Sequence, residues 1–187
     1  MTNQPTIVSS DSEMLILVDS ADNETGRLTK LACHLEDGIL HRAFSIFIFN
    51  ARGEVLLQRR AADKFLWPLY WSNACCSHPR AGETTADAVC RRLEQELGIS
   101  TPLEYLYKFE YKANFGDVGT EHELCSVWIG QAEADAVRAN PTEVAEWRFF
   151  QRAELAEALL QSPDQFTPWM KMEWDRLNAE FSDRLPG

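Results

Sequence analysis

The sequence predicts an α/β sandwich built on a mixed sheet, folded as one domain. Strand-like apolar runs recur along the chain, and helix patterns follow them near the middle and at the C-terminal end. The 187 residues, with six tryptophans and ten phenylalanines, supply core material for one domain. The sequence contains no internal repeat or low-complexity linker. We therefore expect a flexible polar N-terminus at 1–12 and a single domain at 13–187.

The strands are predicted from short apolar runs bounded by turn residues. EMLILVD predicts a strand followed by a turn at SADNETGR. AFSIFIFN and EVLLQRR predict a hairpin that turns between Asn50 and Gly53. PLEYLYKFEYKA alternates like a strand, and this alternation predicts one shared face for Leu103, Tyr105, Tyr107, Phe109 and Tyr111. EHELCSVWIG and EVAEWRFF predict two further strands.

Three helices are predicted. In GETTADAVCRRLEQELGI, Thr84 or Thr85 can cap the start and Gly98 can end the helix. RAELAEALLQ and the segment from about Pro168 to Phe181 predict the other two.

The composition limits the possible partners and compartment. There are 29 acidic and 18 basic side chains, for a formal charge of −11, which argues against nucleic acid and membrane as partners but not against a small anionic ligand. The N-terminal segment lacks the pattern of a secretory signal. The five cysteines are odd in number and have no scaffold-like spacing, which indicates reduced thiols. We expect a cytoplasmic protein that is a monomer or weak dimer.

HLEDGILH suggests a pair of metal ligands. Asp37-Gly38 is typical of a two-residue hairpin turn, and counting outward from it pairs His34 with His41. In that register the two Cβ atoms lie about 5 Å apart on one face, which suits a transition metal. The alternative is two surface histidines in a polar turn.

SNACCSHP places two cysteines just before a histidine. In an extended chain Cys76 and His78 share a face, whereas Cys75 points away. We interpret Cys75, Cys90 and Cys125 as small buried apolar residues. A structural zinc knuckle is disfavoured because the chain has no CxxC pair.

EHELC places two carboxylates on one strand face, Glu121 and Glu123, with His122 on the other. Buried carboxylates repel each other and are costly to desolvate, so a cation must compensate them or the face must be solvated. An ion bound by His34, His41 and His78 would still need a fourth and a fifth ligand, and the two carboxylates could supply them. This favours the metal.

The chain resembles a known family, the type I isopentenyl diphosphate isomerases, which have a Nudix-like fold. The resemblance runs from about residue 17 to 172 and lies in the order and spacing of several segments: KLACHLEDGILHRAFS, LLQRRAADKFLWPLYWSNACCSHPRAGE, RRLEQELGI, FEYKA, EHELC and FTPWM. It implies a Nudix-like α/β/α sandwich with a mixed sheet.

The sequence departs from the Nudix box of the hydrolases. Ser77 occupies the opening glycine position, Arg91-Arg92 replaces Arg-Glu, and Gln95-Glu96 replaces Glu-Glu. Hydrolases use those carboxylates to hold the magnesium ions that activate water. Because this chain keeps only Glu96 of that set, with Glu94 nearby, the departure favours an isomerase. Ser77 also departs from the isomerase family, which usually has glycine there.

The resemblance implies conversion of isopentenyl to dimethylallyl diphosphate in isoprenoid biosynthesis, by protonation and deprotonation of the allylic system. It implies that the catalytic residues are Cys76, Glu123 and Tyr111. Substrate binding would involve Lys30, Arg60, Lys64, Arg92 and Trp169, whose ring would face the cation. One Mn²⁺, Zn²⁺ or Mg²⁺ would bind His34, His41, His78, Glu121 and Glu123. A second Mg²⁺ would join the diphosphate to Glu96 and the Cys76 carbonyl.

No dinucleotide fingerprint is present, so we expect no flavin or NAD. Two other functions remain open from the sequence. One is a Nudix hydrolase of a diphosphate substrate, and the other is a non-catalytic protein that binds a metal or a prenyl diphosphate.

Overall fold

The computed structural model describes residues 7–186, which form nine strands and four α-helices. In chain order these are β1 Met14–Val18, β2 Glu24–Thr29, α1 Lys30–His34, β3 His41–Phe49, β4 Val55–Arg60, β5 Trp71–Asn73, β6 Cys75–Ser77, α2 Thr85–Leu97, β7 Leu103–Phe115, β8 Gly119–Gln131, β9 Val144–Phe150, α3 Arg152–Gln161 and α4 Pro168–Glu180. Every strand and helix named in the sequence analysis is present, and β2 and the five-residue α1 were not predicted.

The sheet is mixed, as predicted. β3 runs parallel to β8, in a register that pairs His41 with Glu123, whereas β7 is antiparallel to β8. β4 is antiparallel to β3, β5 and β9, and β6 is antiparallel to β3. The predicted hairpin at 50–53 joins β3 to β4 through Phe49 and Val55. The register of β3 and β8 brings two predicted metal ligands side by side.

Apolar side chains on both faces of β3 explain the three layers. Phe47 and Phe49 pack with Trp174 and other side chains of α4. Ile46 and Ile48 pack on the opposite face with α2 side chains such as Leu93. Because both faces are covered, β3 is apolar nearly throughout instead of alternating. The predicted α/β/α sandwich is confirmed.

The ends of α2 follow the local sequence. Thr84 is the N-cap, and its hydroxyl accepts a hydrogen bond from the Asp87 amide at 3.1 Å. Gly98 ends the helix at φ +66°, and a Cβ there would lie 2.6 Å from the Cβ of Arg138. Glycine is therefore required at this position both by the backbone angle and by the packing.

The prediction of one shared face along β7 was wrong. The register shifts between Tyr105, which pairs with Trp128, and Tyr107, which pairs with Val127, so Leu106 is an extra residue. A bulge of this kind reverses the facing of the residues that precede it. Tyr107 and Tyr111 lie in the core beside α4, whereas Tyr105 is exposed and Leu103 packs on the α2 side.

Two other expectations were wrong. His34 and His41 do not belong to a hairpin, because Thr29 caps the helix α1 and His34 is its last residue. The chain turns through Glu36 and Gly38, both at positive φ, before β3 begins at His41. Cys90 is exposed and not buried, because it lies on the outer face of α2.

Residues 1–6 of the segment expected to be flexible lie outside the described residues. Within the described part, Val8 and Ser9 contact the domain: the Val8 carbonyl accepts from Arg92 Nη1 at 2.7 Å and Ser9 Oγ accepts from Lys30 Nζ at 2.5 Å. Over residues 7–186, no helix combines the length and apolar character needed to cross a membrane.

Candidate active site and metal centre

A cavity of about 300 Å³ lies at one end of the sheet and collects most of the predicted site residues. Those that line it are Lys30, His34, Arg60, Lys64, Cys76, His78, Arg92, Tyr111, Glu121, Glu123 and Trp169. The other two predicted residues lie behind this wall: His41 is fully buried beside His34 and His78, and Glu96 is buried against Arg92. Residues far apart in the sequence therefore share one site.

Five side chains form a compact donor cluster. The candidate ligand atoms of His34, His41, His78, Glu121 and Glu123 all lie within 4.8 Å of one another. The end of α1 supplies His34, β3 supplies His41, the segment after β6 supplies His78, and β8 supplies both carboxylates. His122 points away from the cluster, to Glu110 at 3.3 Å, as the strand alternation predicted.

Two of the imidazoles are oriented for metal binding. His34 Nδ1–H donates to the Lys30 carbonyl at 2.6 Å, and His41 Nδ1–H donates to the Ile39 carbonyl at 2.7 Å. Such bonds leave Nε2 of each ring facing the cluster, where His34 Nε2 lies 2.8 Å from Glu121 Oε2. His41 Nε2 is buried without a hydrogen-bond partner among the described residues. An orphaned basic nitrogen within a His3Glu2 donor set fits a divalent cation.

The electrostatics of the cluster fit the same interpretation. Burial and the neighbouring His34 lower the pKa of His41 to about 4, and burial with the other two imidazoles lowers that of His78 well below its usual value. Both rings are therefore neutral and can act as ligands. Burial and the charge of Glu121 raise the pKa of Glu123 well above its ordinary value. A cation would relieve that repulsion.

Gly119, at the start of β8, allows the cluster to close. A Cβ at this position would lie 2.4 Å from the His34 carbonyl oxygen. Only glycine lets β8 approach the end of α1 this closely without displacing His34. No pattern in the sequence predicts this role for Gly119.

Cys76 lies in a polar network on the other side of the cavity. Its Sγ–H donates to Asn73 Oδ1 at 2.7 Å, and its sulfur accepts from Trp169 Nε1 at 3.0 Å and from Ser45 Oγ at 3.7 Å. Ser72 Oγ lies 3.5 Å from the same sulfur. No sequence pattern predicts these polar neighbours, because β3, β5 and α4 meet only in the folded chain.

Burial, and not the hydrogen-bond network, keeps Cys76 as a thiol. Burial and the negative charge of Glu173 raise the pKa of Cys76 to about 12, although hydrogen bonds from Ser72 and Ser45 act in the opposite direction. At neutral pH the group therefore holds a proton that it can donate. Cys75 faces the core on the α2 side, as expected.

Tyr111 and Glu123 form the opposing pair. The Tyr111 hydroxyl donates to Glu123 Oε2 at 2.6 Å, and His78 Nε2 lies 2.9 Å from the other carboxylate oxygen. Burial and the Glu123 charge raise the pKa of Tyr111 well above its usual value, so the phenol is protonated. The two side chains share one proton path across a short hydrogen bond.

The predicted cations lie near one another, and two of them contact Glu143, a buried carboxylate that no sequence pattern predicted. Arg92 Nη2 contacts Glu96 Oε1 at 2.5 Å and Glu143 Oε2 at 3.2 Å, and Lys64 pairs with the same Glu143 oxygen. The Arg92–Glu96 pair is buried, not a surface ion pair. Burial and the charges of Lys64 and Arg92 lower the pKa of Lys30, as expected within a cationic cluster.

Phe65, Tyr111 and Trp169 line the cavity with aromatic rings, and Trp67 and Phe115 support Trp169 from outside the lining. Trp67 lies edge-on to Trp169 with centroids 5.1 Å apart and contacts Phe115 at the same distance. Arg60 holds the loop that carries Trp67 by donating to its carbonyl at 3.0 Å, and its guanidinium lies 5.4 Å from the Trp169 ring. The lining of the cavity thus combines four cations with aromatic rings.

Comparisons with known proteins agree with this architecture. The family model for the NUDIX domain matches residues 39–170. "Isopentenyl-diphosphate Delta-isomerase 1" of Photorhabdus laumondii is 44% identical over 175 residues, 92% of this chain and 99% of the relative. "Isopentenyl-diphosphate Delta-isomerase" of Serratia proteamaculans is 39% identical over 172 residues, 92% and 95% of the two chains.

Solved structures support the fold. The Deinococcus radiodurans protein DR0079 has a TM-score of 0.66 at 19% identity, covering 80% of this chain and 90% of its own. A Caenorhabditis elegans Ap4A hydrolase has a TM-score of 0.55 at 17% identity, covering 76% and 98%.

Proposed function

The chain belongs to the isopentenyl-diphosphate Delta-isomerases of the Nudix family, and from that membership we propose that it converts isopentenyl to dimethylallyl diphosphate. The reaction moves a double bond by one position. One carbon gains a proton, a tertiary carbocation forms, and a neighbouring carbon loses a proton. The site therefore needs a proton donor, a proton acceptor, an electron-rich surface and a pocket that excludes water.

Cys76 is proposed to act as one of the two proton-transfer groups. An alkene is a very weak base, so its protonation needs an acid held in place within a dry pocket. The Cys76 thiol is partly buried and lines the cavity, and its raised pKa keeps it protonated. The sulfur left after transfer would be stabilised by the Trp169 N–H and the Ser45 hydroxyl, which already donate to it.

Tyr111 and Glu123 together are proposed to act as the second proton-transfer group. Glu123 Oε2 accepts from the Tyr111 hydroxyl at 2.6 Å, so a proton can pass between carboxylate and phenol within the pair. Trp169 bridges the two groups, since its N–H contacts Cys76 and its ring centroid lies 6.3 Å from that of Tyr111. A carbocation between them would face the indole, a contact worth about 2 kcal/mol when desolvated.

We propose that His34, His41, His78, Glu121 and Glu123 hold one divalent ion, Mn²⁺, Zn²⁺ or Mg²⁺. When bound, the ion supplies positive charge that tunes the acidity of Glu123 and stabilises the buried carboxylates. The chain's own contribution is the orientation of the donors, through the Nδ1 hydrogen bonds of His34 and His41.

The diphosphate is proposed to bind to the cations that line the cavity. Lys30, Arg60, Lys64 and Arg92 all line it. Arginine and lysine donors match phosphate oxygens through charge-assisted hydrogen bonds. Glu96 and the Cys76 carbonyl are the proposed ligands of a Mg²⁺ that accompanies the substrate. Glu96 lies behind the cavity wall, where it accepts hydrogen bonds from Arg92 and from Gln58, whose Nε2 donates to it at 3.1 Å.

The observation that carries the proposal is one cavity lined by the Cys76 thiol, a hydrogen-bonded Tyr–Glu pair, four cations and an indole. The test is incubation with isopentenyl diphosphate and Mg²⁺ in D2O, followed by NMR. We expect the allylic product, deuterium incorporated from solvent, and no phosphate release. Sustained phosphate release would favour a hydrolase, and binding without turnover would favour a non-catalytic binding protein.

A further inference from the structure

Glu143 is a buried carboxylate in the cavity wall that has no part in the proposed proton transfer. It lies just before β9, lines the cavity and is 2% exposed. Its Oε2 accepts hydrogen bonds from two of the proposed diphosphate-binding cations, Lys64 Nζ and Arg92 Nη2, the second at 3.2 Å. A negative charge beside the proposed site of an anionic ligand repels that ligand, so a carboxylate at this position requires a compensating role.

The backbone of Glu143 is fixed on both sides. Its N–H donates to the Asn140 carbonyl at 3.0 Å, and its carbonyl accepts from the Ala61 N–H at 2.9 Å. The Asn140 N–H in turn donates to the Glu96 carbonyl, on α2, at 2.8 Å. Glu143 is therefore attached both to α2 and to the segment that follows β4.

Lys64 and Arg92 reach the same oxygen of Glu143 from those two segments. The Lys64 N–H donates to the Ala61 carbonyl at 3.3 Å, in the turn that Glu143 also contacts, whereas Arg92 projects from α2. Like charges held close together repel each other, and a carboxylate between them offsets the repulsion. The effect extends to Lys30: burial, Lys64 and Arg92 lower its pKa, whereas Glu143 raises it.

Both cations keep donors for a ligand while Glu143 holds them. The Lys64 ammonium has three hydrogens, of which Glu143 accepts one. Arg92 directs Nε and Nη2 at carboxylates and Nη1 at the Val8 carbonyl, 2.7 Å away. Since Nη1 carries two hydrogens, one is left for a phosphate oxygen. A flexible lysine that is already held in place loses less entropy when the ligand binds.

We propose that Glu143 is a positioning residue for the diphosphate, which bridges Lys64 and Arg92 and holds the two cations where both can reach one ligand. This inference rests on the proposed function, of which the diphosphate site is a part. Glu143 acts through the two cations and does not itself bind phosphate.

The direction of the effect of Glu143→Gln tests the proposal, because this change keeps the shape of the side chain and removes its charge. A carboxylate that only repelled the ligand would be replaced with a gain in affinity, whereas loss of a positioning residue weakens binding. The probe is inorganic pyrophosphate, measured by calorimetry without added Mg²⁺, so that a lost Mg²⁺ ligand does not account for the result. We expect its Kd and the KM of the isomerase reaction to rise at least about tenfold, with kcat falling less than about threefold. Unchanged or tighter pyrophosphate binding would overturn the role.

A double-mutant cycle separates positioning from general loss of stability. Lys64→Met removes the ammonium and keeps an unbranched side chain. Glu143→Gln should raise the Kd for pyrophosphate less in the Lys64→Met background than in the wild type, because one of its two partners is already gone. Equal effects in the two backgrounds would show that Glu143 does not act through Lys64. Glu146→Gln, an exposed change on β9 whose carboxylate lies 3.8 Å from Arg59, is the control and should leave Kd and KM unchanged.

If Glu143→Gln fails to fold, Glu143→Asp decides. Aspartate keeps the charge but is one methylene shorter, so from the fixed backbone it does not reach both cations, and pyrophosphate binding should weaken. Binding equal to that of the wild type would then overturn the positioning role. A wild type that binds pyrophosphate but forms no allylic product would overturn the proposed function alone, and one that binds no pyrophosphate would overturn the role of Glu143.

Discussion

Trp169 donates its indole N–H to the sulfur of Cys76 over 3.0 Å, so that α4 and β6 are joined by a hydrogen bond at the site of the proposed proton transfer. The same nitrogen lies 3.0 Å from Ser72 Oγ. The indole therefore offers two separable contributions: an N–H that can stabilise a charged sulfur and a ring face that can stabilise a carbocation.

Trp169→Phe tests the first contribution, because it removes the N–H and keeps an aromatic ring. We expect kcat to fall about tenfold with little change in KM, since the donor matters most when the sulfur is charged. Trp169→Leu should lower kcat further, because it removes the ring as well. Steady-state kinetics measure both, and equal kcat values for the two variants would contradict the role of the ring.

Cys76→Ala should lower kcat by at least about a thousandfold, because it removes one of the two proton-transfer groups. Cys75→Ala is the matched control, since its side chain packs on the α2 side of the sheet. It should keep most of the activity and lose about 1 kcal/mol of stability through the small cavity. The reverse ranking of the two variants would show that the wrong thiol has been assigned.

His41→Ala should abolish metal binding and activity together. His41 is fully buried and its Nε2 has no hydrogen-bond partner in the described part of the chain, so a bound ion is the natural partner. Elemental analysis after dialysis should find one ion per wild-type chain and none in the variant. Removal of the ion should also lower the melting temperature of the wild type.

His122→Ala is the control for this experiment, because His122 lies outside the cluster and pairs with Glu110. It should retain both the ion and the activity. Full activity of metal-free wild type would contradict the five-ligand site.

Arg92→Gln should raise KM at least tenfold while lowering kcat less, because the guanidinium is proposed to bind the diphosphate in ground state and transition state alike. Glutamine is a better test than glutamate, which would add a third carboxylate beside Glu96 and Glu143. Loss of the buried charge should also destabilise the fold by about 3–5 kcal/mol, so binding is measured on folded protein.

Arg91→Gln is the control for Arg92. Arg91 pairs with Glu83 at 2.6 Å and does not line the cavity. Its substitution should leave KM unchanged. A larger effect of Arg91→Gln on KM than of Arg92→Gln would contradict the proposed phosphate site.

Glu173→Gln should make stability less dependent on pH. The pKa of Glu173 is raised to about 8 in the folded protein, so between the unfolded value and that pH the folded state holds a proton that the unfolded state releases. Stability from this group is complete at low pH and is lost as the pH rises towards about 8. Denaturant unfolding at pH 6 and pH 9 should show a larger loss in the wild type than in the variant.

Local sequence patterns determined much of the fold. The boundaries of α2 follow from Thr84 and Gly98, which satisfy the free backbone groups of a helix from within a few residues. The facing of Glu121 and Glu123 follows from the two-residue period of a strand. The family resemblance likewise depends on the order and spacing of short segments, which can be read from the sequence without the structure.

Tertiary structure decided features that depend on contacts between distant segments. The proximity of His34 and His41 was predicted, but from a hairpin; it is produced by a short helix and by the approach of β8 at Gly119. The bulge at Leu106 reversed the facing of Tyr105, because packing against two different layers outweighed simple alternation.

The protonation of Cys76 and Glu173 is also a tertiary property. Neither residue differs in sequence context from an ordinary thiol or helical glutamate. Burial raises both pKa values, and hydrogen bonds act in the opposite direction: Ser45 and Ser72, on β3 and β5, contact Cys76, and Cys125, on β8, contacts Glu173. Burial is known only once the layers have packed, and removal from water is what makes charge costly at these two positions.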